Sequence, residues 1–190
     1  MQEPANPTQA QSAQTSTSPS LRPELRAWTR DLLLAIGLAM VIIIFLYQPV
    51  KVEGTSMAPL LSDQERIFIN KFVYRFEPIA RGDVVVFWYP LDPSVSFIKR
   101  VVALPGDSVE IRRGVVYVDG RRVDEPYVGP AYRDDESLPP VEVKKGYYFV
   151  LGDHRNSSND SRNWGEVPER YIYGKASFRF WPVSKLGFIQ

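Results

Sequence analysis

The chain has 190 residues, 44% of them hydrophobic and 13% aromatic, and a formal net charge of +1. This near-neutral charge gives no basic field to attract nucleic acid, so DNA and RNA binding are not expected. The sequence has no cysteine and one histidine, which excludes a thiol nucleophile and a disulfide and leaves few ligands for a metal site. The length suits one domain of ordinary size.

The amino-terminal segment has the composition of a disordered tail. Its first 20 residues are rich in Gln, Ser, Thr, Ala and Pro. Such a segment cannot bury enough apolar surface to offset the entropy lost on folding. We predict a disordered tail over residues 1–27.

An uncharged apolar run covers residues 32–50. As an α-helix it would be roughly 28 Å long, close to the hydrocarbon thickness of about 30 Å. We therefore predict one transmembrane helix, a signal anchor within residues 28–50. Three arginines precede the run and Lys51 follows it, which predicts a cytoplasmic tail. A cleaved signal peptide is the alternative, but residues 47–49 do not form a small-x-small cleavage site.

Residues 51–190 show short β-prone runs separated by turn signals, which indicates a mainly β domain. We predict strands over residues 66–74, 83–89, 95–104, 108–112, 115–118, 147–151 and 176–181. The pair Asp119-Gly120 is a strong hairpin signal. Residues 126–140 are rich in proline and charge, which predicts an exposed loop. No convincing helical period follows residue 60.

Ser56 lies in the turn Gly54-Thr55-Ser56-Met57-Ala58-Pro59, soon after the apolar run ends. An extended chain of about 3.5 Å per residue keeps Ser56 within roughly 20 Å of that end, so it would face the membrane surface. A serine hydroxyl becomes a good nucleophile only beside a base. By itself, a serine in such a turn is typical of a plain turn residue.

Lys99 is a candidate base inside a predicted apolar strand. Alternation places Phe97, Lys99 and Val101 on one face. An ordinary lysine is almost wholly charged at pH 7, so Lys99 could act as a base only if burial lowered its pKa. The alternative is that the Lys99 side chain reaches water beside Arg100.

A dense polar loop follows the predicted strand 147–151 and contains His154, Ser158, Asp160 and Arg162. Such loops are often only solvated turns. Closely spaced aspartates and arginines can also fix a loop through bidentate salt bridges, and its serines can orient a neighbouring base. His154 is the alternative base, but its place in a polar loop favours a surface or supporting role.

These features together resemble bacterial-type signal peptidase I, the membrane-bound serine protease with a Ser/Lys dyad. The resemblance depends on four ordered blocks, at residues 54–61, 81–87, 97–107 and 152–162, and continues through residues 164–168. It implies an all-β catalytic core with a nonpolar surface near the membrane. It also implies cleavage of exported preproteins after a small-x-small motif, with no cofactor and no metal.

By position, the resemblance implies that Ser56 is the nucleophile and Lys99 its general base. Ser158 matches the serine that hydrogen-bonds and orients the lysine. Asp160 and Arg162 match the pair that supports the site.

Three further positions bear on the implied site. Met57 fits the residue after the nucleophile, which helps to shape the site. The Ser56 backbone N–H would form part of the oxyanion hole. Gly54 stands where some members carry a serine whose hydroxyl supplies a second donor, so a backbone N–H or water would have to replace it. His154 stands where asparagine is common.

The resemblance also implies partners and a location. The partners are preproteins with signal peptides, membrane lipid and the translocation machinery. The amino terminus would be cytoplasmic, with the β-rich catalytic domain of residues 51–190 on the exported side of a plasma or thylakoid membrane.

Two other functions stay open. A self-cleaving repressor-type Ser/Lys protease would carry a DNA-binding helix pair where this chain has its tail and apolar run. An inactive membrane-anchored β domain that binds exported chains would tolerate replacement of both Ser56 and Lys99.

Overall fold

A computed structural model describes residues 21–189. Residues 1–20 of the predicted tail lie outside the described residues. The prediction is wrong for residues 21–27, because they belong to helix α1 (Leu21–Leu46). By its contacts the chain divides into two units, Met1–Val41 and Ile42–Gln190.

Helix α1 contains most of the apolar run, and many of its large apolar side chains are exposed. The prediction of a helix as far as residue 50 is wrong for the last four residues, because strand β1 (Tyr47–Lys51) begins directly after Leu46. Pro49 lacks the N–H that a continuing helix needs, whereas it is tolerated in an extended strand. Within residues 21–189, no helix combines the length and hydropathy needed to cross a membrane.

The second unit is mainly β, as predicted. After β1 its strands are β2 (Arg66–Asn70), β3 (Val84–Tyr89), β4 (Asp92–Ala103), β5 (Ser108–Arg112), β6 (Val115–Val118), β7 (Arg121–Arg122), β8 (Leu138–Glu142), β9 (Tyr147–Leu151), β10 (Val167–Pro168), β11 (Ile172–Trp181) and β12 (Gly187–Phe188). Among the described residues of this unit, one short α-helix, α2 (Ser161–Trp164), begins within the polar loop and includes Arg162. In the described residues, five single-turn 3₁₀ helices are also present, at Val73–Arg75, Pro130–Tyr132, Arg155–Ser157, Glu169–Tyr171 and Val183–Lys185.

The described strands form two sheets, and their pairings are antiparallel. The larger sheet has the order β1-β2-β11-β3-β4-β9-β10, with β12 paired to β11. The smaller sheet has the order β7-β6-β5-β8. Strand β4 therefore lies inside the larger sheet, between β3 and β9.

Alternation along β4 distributes its side chains between separate core clusters. Phe97 and Val101 pack in one cluster with Val85 and Phe87 of β3. Val102 belongs to a different cluster, which also contains residues of both sheets, including β5 and β9. The predicted face assignment of β4 is therefore confirmed. Burial on both faces explains why β3 reads as a nearly continuous apolar run, whereas β4 is exposed over its first five residues and buried only toward its end.

Several strand boundaries match the prediction, and others differ for physical reasons. The predicted strands 108–112, 115–118 and 147–151 are confirmed with the same bounds. Strand β2 ends at Asn70 rather than residue 74, because the Asn70 side chain accepts the N–H groups of Phe72 and Val73 and turns the chain.

The prediction of a loop over residues 126–140 is wrong at its end, where β8 begins. This strand contains Pro139 and Pro140, which argued against a strand in the sequence. Because β8 is an edge strand of the smaller sheet, a residue without an N–H can face away from the ladder.

Candidate active site

The turn of residues 54–59, called the nucleophile turn below after its candidate nucleophile Ser56, follows β1 and is held on both sides of Ser56. Gly54 has φ +89°, a left-handed conformation that favours glycine, and its N–H donates to Asp63 Oδ1 over 2.8 Å. Met57 is 2% exposed and packs in a core cluster with Val52. A buried methionine directly after Ser56 fixes the position from which the serine side chain leaves the backbone.

Lys99 lies on β4, and its Nζ is 2.7 Å from Ser56 Oγ. The side chain is buried, with 4% of the residue exposed, and Nζ lies 5.1 Å from the centre of the Phe97 ring. The two groups that sequence reasoning placed together as a dyad are therefore in direct contact, although 43 residues separate them.

Burial lowers the pKa of Lys99 from 10.5 to about 8, while the negative charges of Asp160 and Asp153 oppose the shift. With a pKa near 8, roughly one Lys99 in ten is neutral at pH 7, against about 4 in 10,000 for an ordinary lysine. In the neutral form, Nζ can accept the Ser56 hydroxyl proton. The site thus meets the chemical requirement for a lysine base.

Asp160 and Arg162 form a buried bidentate ion pair. Arg162 donates from Nε and Nη2 to the two Asp160 carboxylate oxygens over 2.8 and 2.9 Å. Asp160 is fully buried and also accepts the Gly152 N–H over 3.0 Å. Arg162 donates further to the Asp134 carboxylate. The pair therefore joins the beginning and end of the polar loop.

Ser158 lies near the nucleophile but does not form the hydrogen bond that the resemblance implied. Its Oγ is buried and has no hydrogen-bond partner among the described residues, Lys99 included. A Cβ at Gly152 would lie 2.1 Å from Ser158 Oγ and 2.5 Å from the Ser56 carbonyl oxygen. Only glycine at residue 152 lets the polar loop approach the nucleophile turn this closely. Ser158 therefore lies next to the site, but its hydroxyl does not hydrogen-bond to Lys99.

His154 contacts the nucleophile turn rather than the nucleophile. Its Nδ1 lies 3.0 Å from the Thr55 carbonyl oxygen, and its backbone N–H donates to the Ser56 carbonyl oxygen over 3.1 Å. Because a carbonyl only accepts, Nδ1 carries a hydrogen and is not available as a base toward Ser56.

A second ion-pair cluster lies behind the dyad, and sequence reasoning did not find its partners. Arg100 donates to the Asp153 carboxylate over 2.9 and 2.8 Å, and both side chains are buried. Arg155 pairs with Glu125, and the Tyr127 ring lies 4.0 Å from the Arg100 guanidinium carbon. The available signal was Arg100 itself, since an arginine inside an apolar strand needs a buried carboxylate.

An open cavity of about 450 Å³ contains the dyad. Its walls come from β1, the nucleophile turn, β3, β4, the polar loop and β11. The lining residues are Val50, Lys51, Val52, Glu53, Gly54, Thr55, Ser56, Met57, Val86, Ser96, Phe97, Ile98, Lys99, Ser157, Asn159 and Tyr173. The lining mixes apolar side chains, such as Val52, Val86 and Ile98, with polar and charged ones near Ser56.

Comparison with known proteins identifies relatives that match most of the chain. A solved structure of a signal peptidase I from Enterococcus faecalis is 31% identical, with a TM-score of 0.48, over 53% of this chain and 98% of that chain. Probable signal peptidase I-1 of Synechocystis is 41% identical over 165 residues, which cover 82% of each chain. Signal peptidase I of Bacillus licheniformis is 36% identical over 168 residues, 84% of this chain and 90% of that relative. Residues 25–181 match the family described as signal peptidase, peptidase S26, and the chain belongs to that family.

Proposed function

We propose that this chain is a membrane-bound serine endopeptidase that removes signal peptides from exported preproteins after a small-x-small motif. The observation that carries the proposal is the contact of 2.7 Å between the buried Lys99 Nζ and Ser56 Oγ. Both residues line one open cavity that a peptide can enter. Relatives named signal peptidase I, matched over most of their length, support the same reaction.

In the proposed reaction, neutral Lys99 accepts the proton of the Ser56 hydroxyl while Oγ attacks the scissile carbonyl carbon. The Lys99 ammonium then gives this proton to the leaving amine, and the signal peptide stays bound as an ester of Ser56. Lys99 next removes a proton from a water molecule that attacks the ester. This step releases the signal peptide and restores the serine, and it requires no cofactor.

The oxyanion formed in this reaction needs donors that are already in place. The Ser56 backbone N–H is the proposed first donor. Gly54 has no side chain to supply a second, so another N–H or a water would have to complete the hole. Around the dyad, we assign Asp160 and Arg162 to holding the polar loop and Met57 to shaping the cleft, whereas Ser158 forms no hydrogen bond to Lys99 and receives no role.

The proposed substrate is an extended peptide that lies along the cavity between the β1 side and β4. Extended peptides bind to strands through backbone hydrogen bonds, and the pockets between them select alternate side chains. The apolar part of the lining suits the small residues of a small-x-small motif. Membrane lipid and the translocation machinery are the further partners we propose, because the substrate arrives through the membrane.

We further propose an amino-terminal segment on the cytoplasmic side, an anchor formed by the apolar part of α1 (Leu21–Leu46) and a catalytic domain at residues 51–190 on the exported side. The exposed apolar side chains of α1 support the anchor, because a soluble domain rarely exposes so many. The basic residues before the apolar run support the orientation. A plasma membrane and a thylakoid membrane both fit this arrangement.

The test is cleavage of a purified preprotein by the full chain in detergent, with the new amino terminus of the product sequenced. Ser56→Ala and Lys99→Ala are compared with two matched control variants, Ser94→Ala and Lys145→Ala, at exposed positions. Folding of each variant is checked by circular dichroism.

We expect a cut after a small-x-small site that both dyad variants abolish and both controls retain. Cleavage that survives either dyad substitution would overturn the Ser/Lys assignment. No cleavage of several preproteins by the intact chain would favour the alternative of an inactive, membrane-anchored β domain that binds exported chains.

A further inference from the structure

His154 holds two successive carbonyl groups of the nucleophile turn. Its backbone N–H donates to the Ser56 carbonyl oxygen over 3.1 Å. Its ring Nδ1–H donates to the Thr55 carbonyl oxygen over 3.0 Å. In the polar loop, His154 is therefore fastened to both peptide groups that flank the nucleophile.

The Thr55 carbonyl matters because it belongs to the same peptide group as the Ser56 N–H. A peptide group is planar, so fixing the direction of its carbonyl also fixes the direction of its N–H. The Thr55 oxygen accepts a second bond, from the Ala58 N–H over 2.9 Å. Hydrogen bonds to a carbonyl polarise the peptide and strengthen its N–H as a donor.

The Ser56 N–H is free to act on a ligand. Within residues 21–189 it has no protein acceptor, and Ser56 lines the cavity that contains the dyad. Glycine at residue 54 supplies no hydroxyl as a second donor beside this N–H. Its orientation and donor strength therefore matter more here than in a site with two built-in donors.

We infer that His154 is a positioning residue that sets the oxyanion hole through the Thr55 carbonyl. It holds the Thr55–Ser56 peptide so that the Ser56 N–H stays directed at the developing oxyanion and donates more strongly. The inference depends on the proposed peptidase activity and goes beyond it, because it gives the histidine a task that neither the base nor the nucleophile performs.

The histidine ring is itself held in place. It packs edge-on against the Tyr132 ring, with 4.8 Å between centroids and a 90° angle between planes. Asn156, two residues later in the same loop, donates to the Ala131 carbonyl over 3.2 Å. The 3₁₀ turn of Pro130–Tyr132 thus keeps the polar loop and the His154 ring aligned with the nucleophile turn.

Three substitutions at residue 154 separate the hydrogen bond from the bulk of the side chain. His154→Asn can place an amide N–H close to the position of Nδ1, whereas His154→Gln places its amide near the position of Nε2. His154→Ala removes the donor. Ser177→Ala is the matched control, because it removes one side-chain hydrogen bond to a backbone carbonyl, that of Lys175, within β11 rather than in the polar loop.

The measurement is turnover of a peptide ester with small-x-small residues before the ester, and of its thionoester, by the full chain in detergent. Sulfur accepts hydrogen bonds poorly, so the ratio of the two rates reports the oxyanion hole and is independent of the folded fraction. Loss of a whole oxyanion donor costs about 10²- to 10³-fold in kcat. Loss of the group that positions the donor should cost less.

We expect His154→Ala and His154→Gln to lower kcat for the ester about tenfold, to change KM less than about twofold and to lower the ester-to-thionoester ratio. We expect His154→Asn to recover most of kcat and of the ratio, and Ser177→Ala to leave the ratio unchanged. An unchanged ratio in His154→Ala, in an enzyme that Ser56→Ala inactivates, would overturn the inference and leave the peptidase intact. No turnover by the unmodified chain would instead overturn both.

Discussion

Lys99 is the residue on which the proposed chemistry depends, and two opposing effects set its pKa. Burial lowers the pKa to about 8, and the carboxylates of Asp160 and Asp153 limit the shift. Protonation below that pKa removes the base, so activity must fall as the pH decreases through this range. The fall of activity on the acid side of the pH profile therefore reports the pKa of the Lys99 amino group.

We expect kcat/KM for preprotein cleavage to rise with pH and to level off above an apparent pKa near 8. Asp160→Asn removes an anion that favours the ammonium form and leaves the Arg162 charge less balanced. Both effects should lower the apparent pKa of Lys99 in the pH profile of kcat/KM, even if kcat itself decreases. The profiles are measured between pH 5 and pH 10 for both proteins. A higher apparent pKa in the variant would contradict this electrostatic account.

Lys99 should also make stability depend on pH. Its pKa is lower in the folded chain than in the unfolded chain, so the unfolded state binds more protons between about pH 8 and pH 10.5. Below that window the buried lysine costs about 3 kcal/mol of folding free energy. The cost disappears as the pH rises through the window.

Lys99→Met should therefore increase the free energy of unfolding by about 1–3 kcal/mol at pH 7, because an apolar side chain of similar length suits the buried site. The gain should shrink steadily toward pH 10.5. Urea unfolding of both proteins at several pH values measures the difference. A gain that is constant with pH would show that packing, and not the buried charge, distinguishes the two side chains.

At the scale of elements, local pattern was enough for the hairpins but not for every strand. Residues 108–118 alternate cleanly around a turn, and both strands were predicted with their observed bounds. Strands β10 and β12 have two residues each, which is too short for any periodic signal. They form because the adjacent strands β9 and β11 provide backbone hydrogen-bond partners. The proline-containing β8 is likewise determined by its edge position.

The early part of β11 was missed because it contains Gly174, which carries no β signal. This glycine permits close approach between strands, since a Cβ there would lie 2.4 Å from Ile69 Cγ2 and 3.0 Å from the Asn70 carbonyl oxygen. The neighbouring strand, rather than local propensity, explains why glycine fits at this position. Close packing of two strands is invisible in a single sequence.

Gly174→Ala should destabilise the chain by about 1–3 kcal/mol, because the added methyl group forces β11 and β2 apart. Gly187→Ala in β12 is the matched control, as a Cβ there meets no atom within 4 Å. Thermal and urea unfolding compare the two variants with the unmodified chain. Equal stability of the two variants would contradict the tight packing of β11 on β2.

For the β unit as a whole, the connection between β7 and β8 contacts the polar loop at several points. Glu125 pairs with Arg155, Asp134 pairs with Arg162, and the Ala131 carbonyl accepts from Asn156. Sequence reasoning identified the arginines of the polar loop but not these partners, because 28 and 30 residues separate the ion-paired residues. Such pairs depend on how the smaller sheet and its connections meet the larger one.

Glu125 is the most consequential of these partners, because it also accepts a hydrogen bond from the Tyr127 hydroxyl over 3.0 Å. The Tyr127 ring covers the guanidinium of Arg100, which neighbours the base in sequence and is paired with Asp153. Losing the Glu125 carboxylate leaves the buried Arg155 without its main counter-charge. The disturbance therefore extends from the β7–β8 connection to the loop that faces Ser56.

Glu125→Ala should lower the free energy of unfolding by about 3–5 kcal/mol, the usual cost of removing one partner of a buried pair. Glu136→Ala is the matched control, because Glu136 contacts Arg162 at 3.2 Å but is 60% exposed, and it should change stability little. Urea unfolding measures both, and preprotein cleavage at a temperature where both variants stay folded measures the effect on the site. If Glu125→Ala has the same free energy of unfolding as the control, the connection lies beside the polar loop without stabilising it. A large loss of stability together with reduced kcat would mean that the smaller sheet's connection holds the loop in its active arrangement.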